Sequence, residues 1–154
     1  MSPTHYLLIL SPTHLSGVQA MTTTPRESFD QMRQHWLGHP AALTGDDLAD
    51  DVTIETPFAP PGRPTRIDGK QQFLDFANAE RAAIPVRFDE CRTIAIHETT
   101  DPETIIVEYE LTGTSTKTNE QHTATFIGVL TVHDGKITLW REYQNTLAIM
   151  RALG

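Results

Sequence analysis

The first periodic pattern in the chain lies at residues 24–37, where apolar side chains recur at helical spacing. Thr24, Pro25 and Glu27 form a helix-start signature: a capping residue, a proline in the first turn and a glutamate three residues after the threonine. The run GHP at residues 38–40 ends the pattern. The sequence therefore predicts a helix whose apolar face is formed by Phe29, Met32, Trp36 and Leu37.

Two further helical segments are predicted before residue 84. The acidic segment AALTGDDLADD, residues 41–51, is interpreted as a short helical piece broken by Gly45, with its aspartates on a solvated face. Asp68 is predicted to cap a longer helix over residues 69–83, which Pro85 closes. Its apolar side is expected to hold Phe73, Phe76, Ala77 and Ile84.

Strand patterns dominate the remainder of the chain. A first strand is predicted at residues 52–58, followed by the proline-rich loop APPGRPTRI, which cannot pair in a ladder. The turn HDGK at residues 133–136 is typical of a hairpin, and the tail LAIMRALG is predicted to be a short helix. Later strands are expected at residues 86–97, 104–115, 122–132 and 137–144.

This order of elements predicts an α+β fold rather than α/β. We expect a cone-shaped, curved antiparallel or mixed sheet wrapped around two or three helices, enclosing a pocket. With 154 residues, the chain is long enough for one domain, assigned to residues 23–154. Residues 1–22 are interpreted as a poorly ordered extension, with a short added strand as the alternative. Their apolar core YLLIL is shorter than that of a secretory signal.

Charge and cysteine content restrict the partners and the compartment. A formal net charge of −8 argues against nucleic acid and anionic membranes, and no run approaches the roughly 20 apolar residues of a membrane span. The single cysteine, Cys91, is interpreted as a packing residue, and its isolation suits a reducing cytoplasm.

Metal and cofactor signals are weak. The seven histidines form no compact ligand pattern. His35 and His39 lie four residues apart at a helix end, where a helix-terminal role is expected. Nucleotide-binding and hydrolase motifs are missing from the sequence, so we expect neither a cofactor nor a metal.

Glu142 is the candidate for chemistry. Glutamate is disfavoured in strands, and a carboxylic acid in an apolar cavity has a raised pKa that suits proton transfer near neutral pH. Strict alternation puts Glu142 with Trp140 on one face and Ile137 with Tyr143 on the other, so periodicity leaves the pocket side open. Large hydrophobes on both faces fit a sheet covered by helices on one side and by a second subunit on the other. Each aromatic residue of the predicted elements, taken singly, is expected to be a core residue, and the alternative is that together they line an apolar cavity. These residues are Trp36, Phe58, Phe73, Phe76, Tyr109, Phe126 and Trp140.

The patterns FDQMRQHW, LADDVTIETPF, RIDGKQQFLDF and HDGKITLWREYQNTL together resemble the nuclear-transport-factor-2-like superfamily, in its SnoaL-like polyketide cyclase branch. The most similar group is the phenazine biosynthesis A/B proteins, which share the ETxDP turn at residues 98–102 and the ending near LRALG. The REF-x-N motif of that group is matched by Arg141, Glu142, Tyr143 and Asn145.

The resemblance implies a homodimer formed through the sheet and a deep pocket without metal or cofactor. In the phenazine branch the glutamate of the REF motif is a pocket acid that assists an imine-forming condensation of an amino-ketone, and it falls on Glu142. That branch has a pocket histidine where this chain has Phe76. Ketosteroid isomerases need two aspartates at positions matched here by Thr56 and Gly128, which argues against isomerase chemistry of that kind.

Three functions remain open. The first is an enzyme that performs acid–base cyclisation, condensation or isomerisation of a small carbonyl-bearing cyclic metabolite through Glu142. The second is a dimer of the same fold that binds such a molecule without turnover, and the third is an interaction module with a filled pocket. Glu80 is expected to face the pocket mouth and Tyr109 to donate to a ligand carbonyl. Arg63 and Arg66 are expected either to steer an anionic substrate or to hold their loop in place.

Overall fold

The computed structural model describes residues 21–38 and 41–154. The predicted extension at residues 1–22 therefore lies almost entirely outside the described residues. The elements, in chain order, are α1 (Pro25–Trp36), β1 (Leu48–Glu55), β2 (Arg66–Asp68), α2 (Lys70–Ala83), β3 (Val86–Glu98), β4 (Thr104–Ser115), β5 (Gln121–His133), β6 (Lys136–Gln144) and α3 (Thr146–Leu153).

The six strands form one open, mixed sheet in the order β2-β1-β6-β5-β4-β3. β1 runs parallel to β6, and every other neighbouring pair is antiparallel. Long antiparallel hairpins join β3 to β4, β4 to β5 and β5 to β6, as the turn signals predict. The α+β fold class is therefore confirmed, with three helices among the described residues.

The capping signature of α1 forms as predicted. The Thr24 hydroxyl accepts from the Glu27 amide at 3.3 Å, and the Glu27 carboxylate accepts from the Thr24 amide at 2.8 Å. This reciprocal capping satisfies two amides that have no partner within the helix. α1 thereby starts at Pro25 and places Phe29, only 1% exposed, on the sheet.

The helical prediction for residues 41–51 is wrong. The chain there is a loop that turns at Gly45, where φ is +73°, and then enters β1 at Leu48. Asn78 of α2 accepts from the Leu43 amide at 2.7 Å and donates to the Leu43 carbonyl at 3.3 Å. Arg81 donates to the Ala41 carbonyl at 2.9 Å. These side chains replace the hydrogen bonds that a helix would have made within the segment.

The cap predicted for α2 is also wrong. Asp68 is the last residue of β2, where its carboxylate pairs with Arg66 at 2.9 Å. The cap position is Gly69, with φ +97° and no side-chain cap hydrogen bond. A positive φ of this size favours glycine, so the helix starts where backbone geometry permits rather than at the carboxylate.

A β-bulge in β6 corrects the predicted faces of this strand. Thr131 of β5 pairs with Leu139, but Val132 pairs with Ile137, so Thr138 is an extra residue. An inserted residue shifts the alternation of side chains. Ile137, 0% exposed, consequently lies on the same inner side as Trp140, not on the outer face with Tyr143.

Candidate functional site

Glu142 lies on the inner face of β6, opposite Gly128 of β5. It is partly buried, and both of its carboxylate oxygens accept hydrogen bonds. The Tyr109 hydroxyl donates to Oε1, and the Gln144 side-chain amide donates to Oε2 at 2.7 Å. The sheet positions both donors, because Gln144 is two residues along the same strand and Tyr109 comes from β4. The carboxylate is therefore oriented by neutral donors.

Burial raises the pKa of the Glu142 carboxyl above its usual range, because desolvation penalises the ionised form. The hydrogen bonds from Tyr109 and Gln144 oppose this shift by favouring the carboxylate. Desolvation, followed by the charge of Glu142, raises the pKa of Tyr109 well above its ordinary value. Tyr109 consequently stays a neutral donor, while Glu142 can hold or release a proton.

Arginine does not neutralise Glu142 in this arrangement. Arg141, its chain neighbour, pairs instead with Glu55 of β1, which also contacts Arg66 at 3.1 Å. Glu55 and Arg141 are register partners in the parallel β1–β6 ladder. Since Arg141 pairs with Glu55, no arginine or lysine among the described residues forms an ion pair with Glu142.

An aromatic cluster surrounds the Tyr109–Glu142 pair. Tyr109 is 0% exposed and stacks on Phe126, with centroids 5.1 Å apart and planes 10° from parallel. Its ring centroid lies 5.3 Å from that of Trp36 and 5.6 Å from that of Phe29. Because its hydroxyl already binds Glu142, Tyr109 supports the acid from behind. The expectation that it donates directly to a ligand carbonyl does not fit this geometry.

A cavity of about 400 Å³ lies beside this cluster, between α1, α2, the 41–47 loop and the sheet. This volume is within the range of small-molecule sites. Most of its wall is apolar, and the polar groups are at the loop side. The lining consists of Met32, His35, Trp36, residues 41–47, Leu48, Ile54, Phe73, Leu74, Ile137 and Trp140.

Trp140 contacts both this cavity and the residue opposite Glu142. Its indole lines the cavity and also packs against Gly128, where an added Cβ would be 2.2 Å from Cη2 of the ring. Gly128 is the register partner of Glu142. Among the described residues, Glu142 is not part of the cavity lining, and Trp140 contacts both the cavity and the residue opposite the acid.

Gly128→Ala is expected to destabilise the protein by about 1–3 kcal/mol, because the new methyl group overlaps the Trp140 ring. Urea denaturation measures the change in the free energy of unfolding. In a Trp140→Leu background the same substitution should cost much less, since the obstructing ring is gone. An equal cost in both backgrounds would show that Trp140 does not occupy the space over Gly128.

The other aromatic candidates lie elsewhere. Phe58 is 60% exposed and packs edge-on against Tyr143, at 5.4 Å between centroids. Phe76 is half-buried on α2, about 200° around the helix from the buried Leu74, so it does not contribute to the cavity wall described above. Phe126 lines a second, smaller cavity of about 90 Å³ under α3. Trp36, Phe73 and Trp140 are the aromatic candidates that line the main cavity.

The charged candidates near the predicted pocket mouth are all engaged in ion pairs. Glu80 forms an ion pair with Arg63, and Arg66 pairs with Glu55 and Asp68. Arg63 and Arg66 therefore hold the proline-rich loop against α2 and β1, which is the structural alternative. Glu80 is engaged in this contact rather than lining the cavity.

Cys91 packs inside the sheet as expected. It is 4% exposed, and burial raises the pKa of its thiol to about 11, against the opposing charge of Arg33. A thiol that remains protonated at neutral pH is a poor nucleophile. Cys91 is therefore a core residue.

Three polar residues of the site were not predicted. Gln144 shares the face of Glu142, which its spacing of two residues along β6 indicates. His35 and Asp47 both line the cavity, with Nδ1 of His35 3.3 Å from Oδ2 of Asp47. Their proximity depends on the fold of the 41–47 loop, so no short motif reveals it.

Within residues 21–38 and 41–154, no group of three or more histidine, cysteine, aspartate or glutamate side chains has an arrangement that would hold a metal ion. Over the same ranges, every helix is too short or too polar to cross a membrane.

Comparison with known proteins connects this architecture to a family. The family model for the SnoaL-like domain matches residues 29–140. An uncharacterised PhzA/B-like protein of Pseudomonas aeruginosa is 33% identical over 101 residues, covering 66% of this chain and 70% of that protein. The matched region extends from α1 to β6 and contains most of the cavity wall.

Solved structures share the fold. A provisionally named isomerase of Bacillus subtilis superposes with a TM-score of 0.74 at 23% identity, covering 83% of this chain and 91% of that one. A phenazine biosynthesis-related protein of Pseudomonas aeruginosa gives a TM-score of 0.64 at 22% identity, covering 84% of both chains. The chain therefore belongs to the SnoaL-like domain family, within the nuclear-transport-factor-2-like superfamily.

Proposed function

We propose that the protein binds a small carbonyl-bearing cyclic metabolite in the 400 Å³ cavity and performs acid–base chemistry on it through Glu142. The observation that supports this most is the buried carboxyl of Glu142, held by Tyr109 and Gln144 beside an apolar, aromatic space. A neutral acid in such a place can protonate a carbonyl oxygen, and its carboxylate can remove an adjacent C–H proton. Family membership agrees with a small-molecule site.

The reaction requires the ligand to reach the acid past Trp140. The indole lines the cavity and packs against Gly128, the register partner of Glu142. A change in the side-chain rotamer of Trp140 would therefore extend the cavity toward the acid. Tyr109 and Gln144 would then keep the carboxylate aimed at the ligand. Proton transfer by a positioned side chain typically contributes 10²–10⁴-fold to a rate.

Proton exchange tests the proposal. The protein is incubated in D₂O with cyclohexanone, 2-indanone and 2-tetralone, and deuterium incorporation beside the carbonyl is followed by NMR. Exchange of a bound ketone above the buffer rate supports an enzyme. Binding by calorimetry without any exchange favours the alternative, a small-molecule-binding protein without turnover. That alternative has its own support, because Glu142 is not part of the cavity lining among the described residues.

We also propose that the chain forms a homodimer through the outer face of the sheet. Side chains there are partly or largely exposed although they are apolar: Ile106, Ile127, Val129, Leu139 and Tyr143. Exposed apolar side chains that share one sheet face favour burial against a second subunit, and Glu108 and Arg141 lie among them as the register partners of Ile127 and Val129.

Ile127→Asp is expected to convert the dimer into a monomer, because a carboxylate at this 42% exposed position would be buried in the interface without a partner. Light scattering coupled to size exclusion gives the mass of each species. Leu147→Asp on α3, where the leucine is 59% exposed, is the matched control and should leave the dimer intact. A wild-type monomer at micromolar concentration would contradict the proposal.

A further inference from the structure

We propose that His35 and Asp47 form a second proton-transfer site, in which His35 is a general base for the ligand in the main cavity and Asp47 is its positioning residue. The inference rests on the proposal above that a small ring compound occupies this cavity. It assigns a role to a histidine that, by sequence, appears only to end a helix. Both residues belong to the cavity lining, whereas Glu142 does not.

A carboxylate lies beside one ring nitrogen of the imidazole, in ion-pair contact rather than as an aligned hydrogen bond. Nδ1 of His35 lies 3.3 Å from Oδ2 of Asp47, and the side chains are 59% and 29% exposed. A carboxylate beside Nδ1 favours the tautomer with its proton there, which leaves the Nε2 lone pair available as a base. Such contacts are often long in unliganded sites and shorten when a ligand binds.

The backbone holds both residues in place. Arg81 donates to the His35 carbonyl at 3.3 Å and thereby ties the end of α1 to α2. The Asp47 carbonyl accepts from the Ile137 amide at 2.8 Å, which fixes the loop to β6. The imidazole and the carboxylate consequently approach each other from separately anchored elements.

The charges around the pair are compatible with a base. Asp46 also lines the cavity, and its carboxylate accepts from the Thr44 hydroxyl at 2.8 Å. Three cations lie near, and each is bound elsewhere. Arg81 donates to the carbonyls of Ala41 and His35, Lys136 donates to that of Asp46, and Lys70 pairs with Asp50 at 3.0 Å. Among the described residues, no lysine or arginine side chain is part of the cavity lining.

Ring opening of 5-nitrobenzisoxazole provides a probe of this base. Nε2 takes the proton from C3, the C–H electron pair completes a nitrile, the N–O bond breaks, and the phenolate oxygen leaves with that pair. Water then takes the proton from the imidazolium. The two-ring probe is neutral, and a cavity of about 150 Å³ already holds benzene, so 400 Å³ has room for it. The coloured product reports the rate.

His35→Ala is expected to lower the protein-catalysed kcat/KM at least tenfold, and added imidazole should restore part of it. Asp47→Asn should lower the rate severalfold and reduce the population of the Nδ1-protonated tautomer, read from the ¹⁵N shifts of His35. His133→Ala is the matched control, because His133 also pairs with a carboxylate, Glu103 at 2.9 Å, but does not line this cavity. The control should match the wild type.

Three results would overturn the inference. They are a His35→Ala variant as fast as the wild type, a wild type no faster than free imidazole at equal concentration, and a His35 protonated mainly at Nε2 when neutral. Loss of rate in Glu142→Gln with none in His35→Ala would reject the histidine while supporting the proposed role of Glu142. Loss of rate in His35→Ala with none in Glu142→Gln would support His35 as the base, and the role of Glu142 would then be decided by the ketone exchange experiment. His35→Gln replaces the alanine variant if circular dichroism shows that the latter is unfolded.

Discussion

Glu142→Gln is expected to lower turnover of the exchanging ketone by about 10²–10⁴-fold, while the ligand dissociation constant changes less than about threefold. Glutamine has the size and shape of protonated glutamate but cannot deliver or accept the proton. The Tyr109 hydroxyl can still donate to the amide oxygen at this position, and the Gln144 side-chain amide keeps its contact by turning its oxygen toward the new NH2 group. Exchange rates by NMR and binding by calorimetry measure the two effects separately.

Glu110→Gln is the matched control for this variant. Glu110 lies on the opposite face of β4 from Tyr109 and pairs with Arg92 at 2.5 Å. The control removes the same charge without touching the inner face, so its exchange rate should equal that of the wild type. Unchanged exchange in Glu142→Gln would end the case for Glu142 as the acid.

Glu142→Gln is also expected to change how the free energy of unfolding depends on pH. Burial raises the pKa of Glu142 in the folded protein above its unfolded value. The folded state therefore holds this proton more tightly, and its contribution to stability is present at low pH and is lost as pH rises through the folded pKa. Glu142→Gln removes that loss, so the variant should gain stability relative to the wild type as pH increases. Such a gain is typical of residues kept for function.

Phe29→Ala is expected to destabilise the protein by about 3–5 kcal/mol, the largest stability effect among these predictions. Phe29 is 1% exposed and lies within 6.4 Å of the rings of Trp36, Tyr109 and Trp140, measured between centroids. Its removal leaves a cavity at the centre of the aromatic cluster, which a rigid sheet and helix cannot refill. Urea denaturation measures the loss in the free energy of unfolding.

Phe58→Ala provides the comparison, because this phenylalanine is 60% exposed. The substitution should cost less than about 1 kcal/mol, since folding buries only a small part of the apolar surface of this ring. Equal costs at the two positions would mean that Phe29 does not anchor α1 to the sheet.

Much of this architecture follows from local signals in the chain. The capping box at Thr24 and the hairpin at residues 133–136 are short-range features, and both form as predicted. Residues 41–51 fail as a helix because the groups that hold the loop, Asn78 and Arg81, lie more than thirty residues away. Local composition carries no information about such distant partners.

The candidate site shows the same division. The resemblance implies the inward direction of Glu142, which strand alternation leaves open, and strand spacing puts Gln144 on the same face. The bulge at Thr138 does not, because the pattern of alternation gives no sign of an inserted residue. Its effect is to bring Ile137 and Trp140 to one side, which decides where the cavity lies. The His35–Asp47 contact needs the tertiary fold for the same reason.

The chain has two tryptophans, and Trp36 and Trp140 both line the cavity, with centroids 6.0 Å apart. Tryptophan fluorescence of the unmodified protein therefore originates entirely at this cavity. A guest that enters it displaces water from the indoles or quenches them, and a swing of the Trp140 ring toward or away from Glu142 alters the same signal. The intrinsic tryptophan signal therefore reports whether the cavity is occupied, and compound collections can be screened with it without a label.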